Sequence, residues 1–245
     1  MKRFLAVLLT GILSLCPLLS GCRTEEGGTP SSVKEQSVED AITAIEINWI
    51  SGDIKFLQSE DGHIHIKQLA SKEIPNKKLF IYSVKDGVLT ITDRNKTNLG
   101  FSTSTDLEIS CPAQDFNSIS VTCTNGAIDG NGLQAKTLSV ESTVGDIDVS
   151  GKLEAVNLND NNGNVKVSCS QMPKSLTSNV TVGDITLNLP ENEGFSLMLD
   201  SATKKMDCDF ALQKNGEKYI YKDGSVPITV DIANGSLSIR KFAAS

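Results

Sequence analysis

The chain has 245 residues, with 23 Lys and Arg against 30 Asp and Glu, and its formal net charge at pH 7 is −7. A net negative surface repels phosphate backbones and no basic stripe offsets it, so the sequence predicts no nucleic-acid partner. The same sign disfavours direct adsorption of the folded part to anionic lipid.

Residues 1–21 have the pattern of an export signal, in which Lys2 and Arg3 are followed by an apolar run from Phe4 to Leu19. Pro17 interrupts this run, which is also shorter than the roughly 20 residues that a spanning helix needs. A permanent transmembrane helix is therefore not predicted. Removal of residues 1–21 takes away two positive charges and no negative ones, so the formal charge moves from −7 to −9.

The tetrad Leu19, Ser20, Gly21 and Cys22 resembles the bacterial lipobox. In that motif the Cys thiol receives a diacylglyceryl group and becomes the new N-terminus after cleavage. The resemblance implies that Cys22 is lipidated and that the protein is anchored in a cell membrane on its extracytoplasmic face, since two or three acyl chains hold firmly. The alternative is an ordinary secretory signal with a chance Cys.

Residues 22–40 are predicted to form the lipidated N-terminus and a flexible tether. The segment from Arg23 to Ser37 is rich in Gly, Ser, Thr, Pro and Glu and has no apolar periodicity. Residues 41–245 are predicted to form one β-repeat domain. Export permits disulfides, but the sequence does not choose between three pairings and free buried thiols for four cysteines. These are Cys111, Cys123, Cys169 and Cys208.

An internal repeat organises this domain. Gly126, Gly145, Gly163 and Gly183 follow one another at spacings of 19, 18 and 20 residues. In each copy an apolar residue lies seven positions before the Gly and another lies two positions after it. Further copies surround Gly52 and Gly235. Alternation at period two with β-branched residues indicates half-buried strands, and no strong amphipathic helix is seen, so the fold is predicted to be all-β.

Two all-β architectures compete for these repeats. The Asn-Gly and Gly-Asp pairs are typical of hairpin turns, which would build an antiparallel meander. However, the strand that follows Gly145 ends at Gly151 and leaves much of the preceding strand unpaired. In a β-solenoid, Gly turns a corner at positive φ and like strands stack between successive coils, so we favour the solenoid.

Both ends of the domain are predicted to be irregular. Strands from Phe80 to Val84 and from Leu89 to Thr92 flank Asp86-Gly87, which predicts a true hairpin with a type I′ turn. The period also lapses between Pro190 and Pro227. The aromatic residues of this segment are suited to closing the end of a coil as a C-terminal cap. They are Phe210, Tyr219 and Tyr221.

Three features together resemble the DUF4097 family, whose members are labelled "putative adhesins" with β-strand repeats. They are the segment Ile45–Ile54 with its Ser-Gly-Asp-Ile motif, the strand Leu107–Pro112, and the recurring Val-Gly-Asp-Ile and Asn-Gly motifs. The resemblance would cover residues 43–241, departs mainly between Gly194 and Ser225, and implies a β-helical envelope protein. It brings no catalytic residues with it.

The sequence offers few residues for catalysis or metal binding. His63 and His65 are the only histidines and share one strand face, but no third His is available to complete a metal site. Asp129, the pair Asp146 and Asp148, and the run from Asn159 to Asn164 could offer oxygens to Ca²⁺. The calcium repeat of solenoids is nevertheless absent, and Asn and Asp also favour turns for local reasons. We predict no bound metal or cofactor.

A glycoside hydrolase would need converging carboxylates. Asp146, Asp148 and Asp184 could line one face together with Lys166, although alternating Asp and Lys are what any solvated solenoid face displays. Trp49 has inward parity and is predicted to be core. The asparagines before the corner glycines either form interior amide ladders or only supply turn geometry. They are Asn125, Asn162 and Asn234.

We therefore expect a non-enzymatic envelope lipoprotein whose solenoid presents a flat, acidic face to an unknown protein or glycan ligand. Its partners would be the membrane, through the N-terminal lipid, and this ligand. A self-associating or stress-sensing scaffold and a carbohydrate-active β-helix enzyme are the two alternatives.

Overall fold

The computed structural model describes residues 30–94, 104–202 and 205–242. Within these ranges the chain forms nineteen strands and one 3-10 helix, Asn76–Lys78, with no α-helix, and no helix there is long and apolar enough to cross a membrane. The strands in chain order are β1 (Ser31–Val38), β2 (Ala44–Ser51), β3 (Ile54–Gln58), β4 (Ile64–Ala70), β5 (Ile81–Lys85), β6 (Val88–Thr92), β7 (Asp106–Cys111), β8 (Phe116–Asn125), β9 (Ile128–Val144), β10 (Ile147–Asn162), β11 (Val165–Cys169), β12 (Ser175–Val182), β13 (Ile185–Leu189), β14 (Phe195–Ser201), β15 (Met206–Cys208), β16 (Gln213–Asn215), β17 (Lys218–Tyr221), β18 (Val226–Asn234) and β19 (Leu237–Lys241).

The strands form one continuous hydrogen-bonded sheet that folds into two facing halves, here called sheet A and sheet B. Sheet A has the order β5-β6-β2-β8-β9-β10-β12-β18-β14-β17-β16. Sheet B has the order β1-β4-β7-β3-β9-β10-β11-β13-β19-β15. The long strands β9 and β10 take part in both sheets. The central strands pair in parallel, which confirms the predicted β-solenoid.

Each coil consists of a strand in sheet A, a corner and a strand in sheet B. The coils do not stack in chain order at either end. The coil β6–β7 lies outside β2–β3, although it comes later in the chain. At the other end β18–β19 is inserted between β12–β13 and the outer coil β14–β15. The last repeat of the chain is therefore an internal coil.

Inward side chains of equivalent positions form apolar columns through the stack. One column in sheet A is fully buried, and each of its members pairs in register with the equivalent residue of the next coil. Trp49 lies in this core, as predicted, and its Nε1 donates a hydrogen bond of 2.7 Å to the Thr105 carbonyl oxygen. The column contains Ile45, Ile119, Leu138, Val156, Leu176 and Ile228.

The predicted hairpin is formed by β5 and β6, which pair in antiparallel orientation. Asp86 and Gly87 have φ values of 52° and 75°, the positive pair that a type I′ turn requires. The predicted C-terminal cap also forms. Phe195, Phe210 and Tyr221 pack around one another with ring centroids 4.8 to 5.6 Å apart, in edge or tilted geometry.

The structure corrects the boundary of the predicted tether. Ser31–Val38, assigned to the flexible segment, forms β1 and pairs with β4 in antiparallel orientation. Only Val38 of this strand is buried, so the sequence carries almost no apolar pattern there. β1 exists because β4 offers it an unpaired backbone edge. The predicted signal segment 1–21 and the lipobox residues Leu19, Ser20, Gly21 and Cys22 lie outside the described residues.

Candidate functional site

The six predicted corner glycines stack into one column along the solenoid. A Cβ atom on Gly126 would lie 2.0 Å from the Gly52 carbonyl oxygen, and one on Gly145 would lie 2.1 Å from that of Gly126. Four of the six have positive φ, as predicted. Gly163 is outside the left-handed region, yet its Cβ would lie 2.3 Å from the Gly145 oxygen. Close approach between coils therefore requires glycine as much as backbone conformation does. The column comprises Gly52, Gly126, Gly145, Gly163, Gly183 and Gly235.

Residues that follow the corner glycines form a second ladder, interrupted at Ala127, in which a side-chain oxygen accepts a hydrogen bond from the backbone N–H of the next coil. Asp146 Oδ1 accepts from Asn164 at 2.7 Å, and Asp184 Oδ1 accepts from Ser236 at 2.8 Å. Between them Asn164 Oδ1 accepts from Asp184 at 3.0 Å. The carboxylates considered as catalytic candidates thus hold the corner backbone.

The asparagines before the glycines do not form the interior amide ladder that was one of the two predictions. Asn125, Asn162 and Asn234 are all exposed at the corner, so the turn-geometry alternative describes them better. Their column also contains Val144 and Val182, which are 43% and 45% exposed. This position points away from the core and tolerates either residue type.

The outer face of sheet B is charged, and its ion pairs join neighbouring coils. Lys166 Nζ lies 2.8 Å from Asp148, and Arg240 lies 2.6 Å from Asp207. The hydrogen bond from Arg240 lowers the pKa of Asp207. Because these groups are exposed and screened by solvent, the pairs contribute little to stability. Asp148 and Lys166, two of the predicted enzyme candidates, are therefore partners in a cross-coil ion pair.

The outer face of sheet A carries isolated carboxylates among uncharged polar side chains. Its side chains are mainly hydroxyls and amides, with four carboxylates, Glu46, Glu141, Asp200 and Asp231, spread over seven coils. The polar residues repeat at the spacing between strands, about 4.8 Å. Two adjoining rows run across the coils. One contains Thr90, Glu46, Ser120, Ser139, Asn157, Thr177 and Thr229, and the other contains Thr92, Asn48, Thr122, Glu141, Asn159, Asn179 and Asp231.

The two histidines share one face of β4, as predicted, and both contact the segment around β1. His65 Nε2 lies 2.9 Å from Asp61, and its Nδ1 lies 2.9 Å from the Ser37 hydroxyl. His63 Nδ1 lies 3.5 Å from Glu39. The hydrogen bond with His65 is the largest cause that lowers the pKa of Asp61.

This arrangement of Ser37, His65 and Asp61 was not foreseen, because the three residues come from separate strands and turns. It has the order of a nucleophile, a base and an orienting carboxylate. All three groups are solvent-accessible on an edge, and Ser37 belongs to the outermost strand of sheet B. The arrangement links β1 to β4, and its three residues do not line the cavity at the C-terminal end of sheet A described below.

Cys111, Cys123, Cys169 and Cys208 are free, so none of the three possible disulfide pairings among them occurs in the structure. Burial raises the pKa of Cys111 and Cys169 to about 12 and that of Cys123 to about 11. Their thiols stay protonated at neutral pH and are poor nucleophiles. Across residues 30–94, 104–202 and 205–242 no group of three His, Cys, Asp or Glu side chains is placed to hold a metal ion.

The carboxyl group of Asp160 faces the interior of the solenoid. Asp160 is 3% exposed, and neither its oxygens nor the nearby Ser142 hydroxyl has a well-formed hydrogen bond to a described residue. Burial raises the pKa of Asp160. The Ser142 hydroxyl and the backbone amides of Asn161 and Asn162 offset this effect only in part.

A cavity of about 720 Å³ lies at the C-terminal end of sheet A, between the outer coil and the hairpin β16–β17. Its walls combine carboxylates, two thioethers and one tyrosine ring. The residues that contribute these groups are Asp200, Asp231, Glu217, Met198, Met206 and Tyr219.

Comparison with known proteins gives a family. The family model described as Toastrack DUF4097 matches residues 42–159 and 117–240. A solved "putative cell adhesion protein" from Clostridium sporogenes ATCC 15579 is 14% identical, covers 87% of this chain and 100% of its own, and has a TM-score of 0.55. A "putative adhesin" from Bacteroides fragilis NCTC 9343 is 18% identical over 86% of this chain and 98% of its own, with a TM-score of 0.44. The first likeness shows a shared fold. No curated protein matches.

Proposed function

The chain belongs to the Toastrack DUF4097 family, and from this premise we propose that it is a non-catalytic binding protein, held on the extracytoplasmic side of a cell membrane by a lipid on Cys22. The outer face of sheet A would bind a neutral glycan. The observation that carries this proposal is the regular array of hydroxyl and amide groups on that face.

The chemistry of the face suits a neutral polymer. Hydroxyl and amide side chains can both donate and accept hydrogen bonds, as sugar hydroxyls do. Asn179 Nδ2 donates a hydrogen bond of 2.7 Å to Asn159 Oδ1, so neighbouring coils hold one another's groups in place. Such preorganisation reduces the ordering cost of binding. The description of the Clostridium protein as a cell adhesion protein is consistent with a binding role.

Binding to immobilised neutral polysaccharides tests this assignment. Asn157→Glu and Thr177→Glu place charge on the outer face of sheet A, and we expect the double variant to reduce binding about tenfold, because each carboxylate would have to be desolvated against the ligand. Thr186→Glu, on the outer face of sheet B, is the matched control and should leave binding unchanged. Equal loss in both variants, or no retention of the wild-type protein, contradicts the proposal.

The anchor has a separate test. Cells grown with a clickable palmitate analogue should label the wild-type chain, and the protein should fractionate with membranes. Cys22→Ala removes the acceptor thiol and should abolish both the label and the retention. Labelling that persists in the variant would contradict lipidation at this position.

Self-association is the second candidate function, and one feature favours it. Ile81 and Tyr82, 49% and 37% exposed, lie on β5, which pairs only with β6 among the described strands. An exposed apolar edge is a template for pairing with another chain. Sedimentation at rising concentration would reveal a dimer, and Ile81→Lys should dissociate it.

A further inference from the structure

The C-terminal cavity is a concave site at one end of sheet A, whereas the proposed glycan-binding surface is the face of that sheet. Its volume of about 720 Å³ lies within the range of ligand sites, roughly 300 to 1,000 Å³. The cavity opens beside β14, which belongs to the outermost coil at this end of the solenoid. Side chains from both faces of β14 therefore line the cavity. Leu199 comes from the inward face, and Met198 and Asp200 come from the outward face.

Two carboxylates lie side by side in this cavity. The parallel pairing of β14 with β18 places Asp200 directly opposite Asp231, and neither has a hydrogen bond or ion pair with a described residue. Like charges on neighbouring strands destabilise the pair. Glu217 adds a third carboxylate from the hairpin. Among the described residues the cavity wall has one cation, Lys214, whose Nζ lies 5.7 Å from the centroid of the Tyr219 ring.

The backbone next to these carboxylates is an open sheet edge. β17 pairs with β14 only from Phe195 to Met198, where Lys218 is the last partner. At Leu199 and Asp200 the described strands flank β14 only on the β18 side. An edge of this kind can receive an additional extended strand, whose alternate side chains then enter adjoining pockets.

We propose that this cavity binds an extended protein segment that carries lysine or arginine side chains, and that the backbone of the segment pairs with β14 beyond Met198. The basic side chains lie against Asp200 and Asp231, where they relieve the repulsion between the carboxylates. Aliphatic parts of the segment pack on Met198, which is 43% exposed, and on the Tyr219 ring. The proposal does not require glycan binding by sheet A, although the cavity shares Asn179 and Thr229 with the polar rows of that face.

Fluorescence anisotropy with the full-length protein in neutral detergent tests this site. The probe is a labelled nine-residue peptide that alternates lysine and valine, and the comparison peptide has glutamate in place of lysine. We expect saturable binding of the lysine peptide alone, weakened by added NaCl because exposed charges are screened. Asp200→Asn and Asp231→Asn should each weaken it about fivefold.

Two controls separate the parts of the proposal. Glu141→Gln removes a carboxylate from the same outer face but outside the cavity, and it should leave the affinity unchanged. A lysine peptide with N-methylated backbone amides cannot pair with β14 and should bind several-fold more weakly. Circular dichroism should show that every variant keeps the wild-type spectrum and thermal midpoint.

Several results would overturn the inference. Binding that Asp200→Asn and Asp231→Asn leave unchanged, or the absence of binding, removes the site. Equal affinity for the N-methylated peptide, together with full competition by spermidine, would reduce it to a polyamine site without strand addition. Failure of the wild-type protein to bind neutral glycans, with intact peptide binding, would contradict the proposed function alone.

Discussion

At each coil corner, a Cβ atom added to the glycine would overlap a carbonyl oxygen of the neighbouring coil. On Gly145 this separation would be 2.1 Å, whereas a Cβ on Gly132 would meet nothing within 4 Å. Both glycines have left-handed φ, 138° and 71°. Backbone conformation and coil contact are therefore separable at these two positions.

We expect Gly145→Ala to lower the free energy of unfolding by about 3 kcal/mol or more, because two backbones must move apart. Gly132→Ala should cost only about 1–2 kcal/mol, the cost of a left-handed alanine. Urea unfolding followed by circular dichroism measures both. Equal costs would show that coil contact is not what requires glycine at the corner.

Asp160 makes the free energy of unfolding fall as the pH rises. Its pKa is raised in the folded state by burial, so as pH rises the unfolded chain ionises first and the folded state is penalised. We expect Asp160→Asn to raise the thermal midpoint at pH 7 and to change little at pH 3, where the carboxyl is protonated in both states. Glu141→Gln, on the exposed face, should show no such difference. A lower midpoint for Asp160→Asn at pH 7 would mean that the charged carboxylate is stabilised in the core.

At the scale of elements, β1 is an edge strand that side chains fasten to the body. Lys34 Nζ donates a hydrogen bond of 2.7 Å to the Phe80 carbonyl oxygen and lies 4.2 Å from the Phe80 ring centroid. His65 and His63 add contacts to Ser37 and Glu39. With only one buried apolar side chain, β1 depends on these contacts more than the central strands do.

We expect His63→Ala with His65→Ala to speed hydrogen exchange of β1 amides about tenfold, the factor that corresponds to losing roughly 1.4 kcal/mol of local protection. The midpoint of global unfolding should move little, because the core coils are untouched. Unchanged exchange in β1 would show that its backbone pairing with β4 suffices. Detachment of β1 would lengthen the proposed tether.

At the scale of the whole molecule, the interleaved ends couple the last repeat to the rest of the fold. β18–β19 contacts a coil on each side, so its removal would expose two open edges instead of one. Solenoids stacked in chain order lose a terminal repeat with limited effect on the others. Here the terminal repeat is an internal one.

Deletion of residues 226–242 should therefore abolish cooperative unfolding of the C-terminal half, with the outer coil β14–β15 becoming sensitive to protease. Deletion of residues 31–38, which removes only the edge strand β1, is the control and should leave a folded, protease-resistant domain. Limited proteolysis with mass spectrometry distinguishes these results. A deletion that leaves β14 protected would show that the cap is stable without β18.

The sequence alone determined the features that arise from local chemistry. Period-two alternation marked the inward residues, the Gly spacing marked the coils, and Asp86-Gly87 specified a hairpin because its turn needs two positive φ values. Only the tertiary structure decided the order of the coils, since each carries the same inward template and can stack on any other. It also decided the roles of Asp146, Asp184 and His65, whose partners lie on other coils or strands 18 to 52 residues away in sequence. Contacts of that range depend on register between strands, which the pattern of a single strand does not contain.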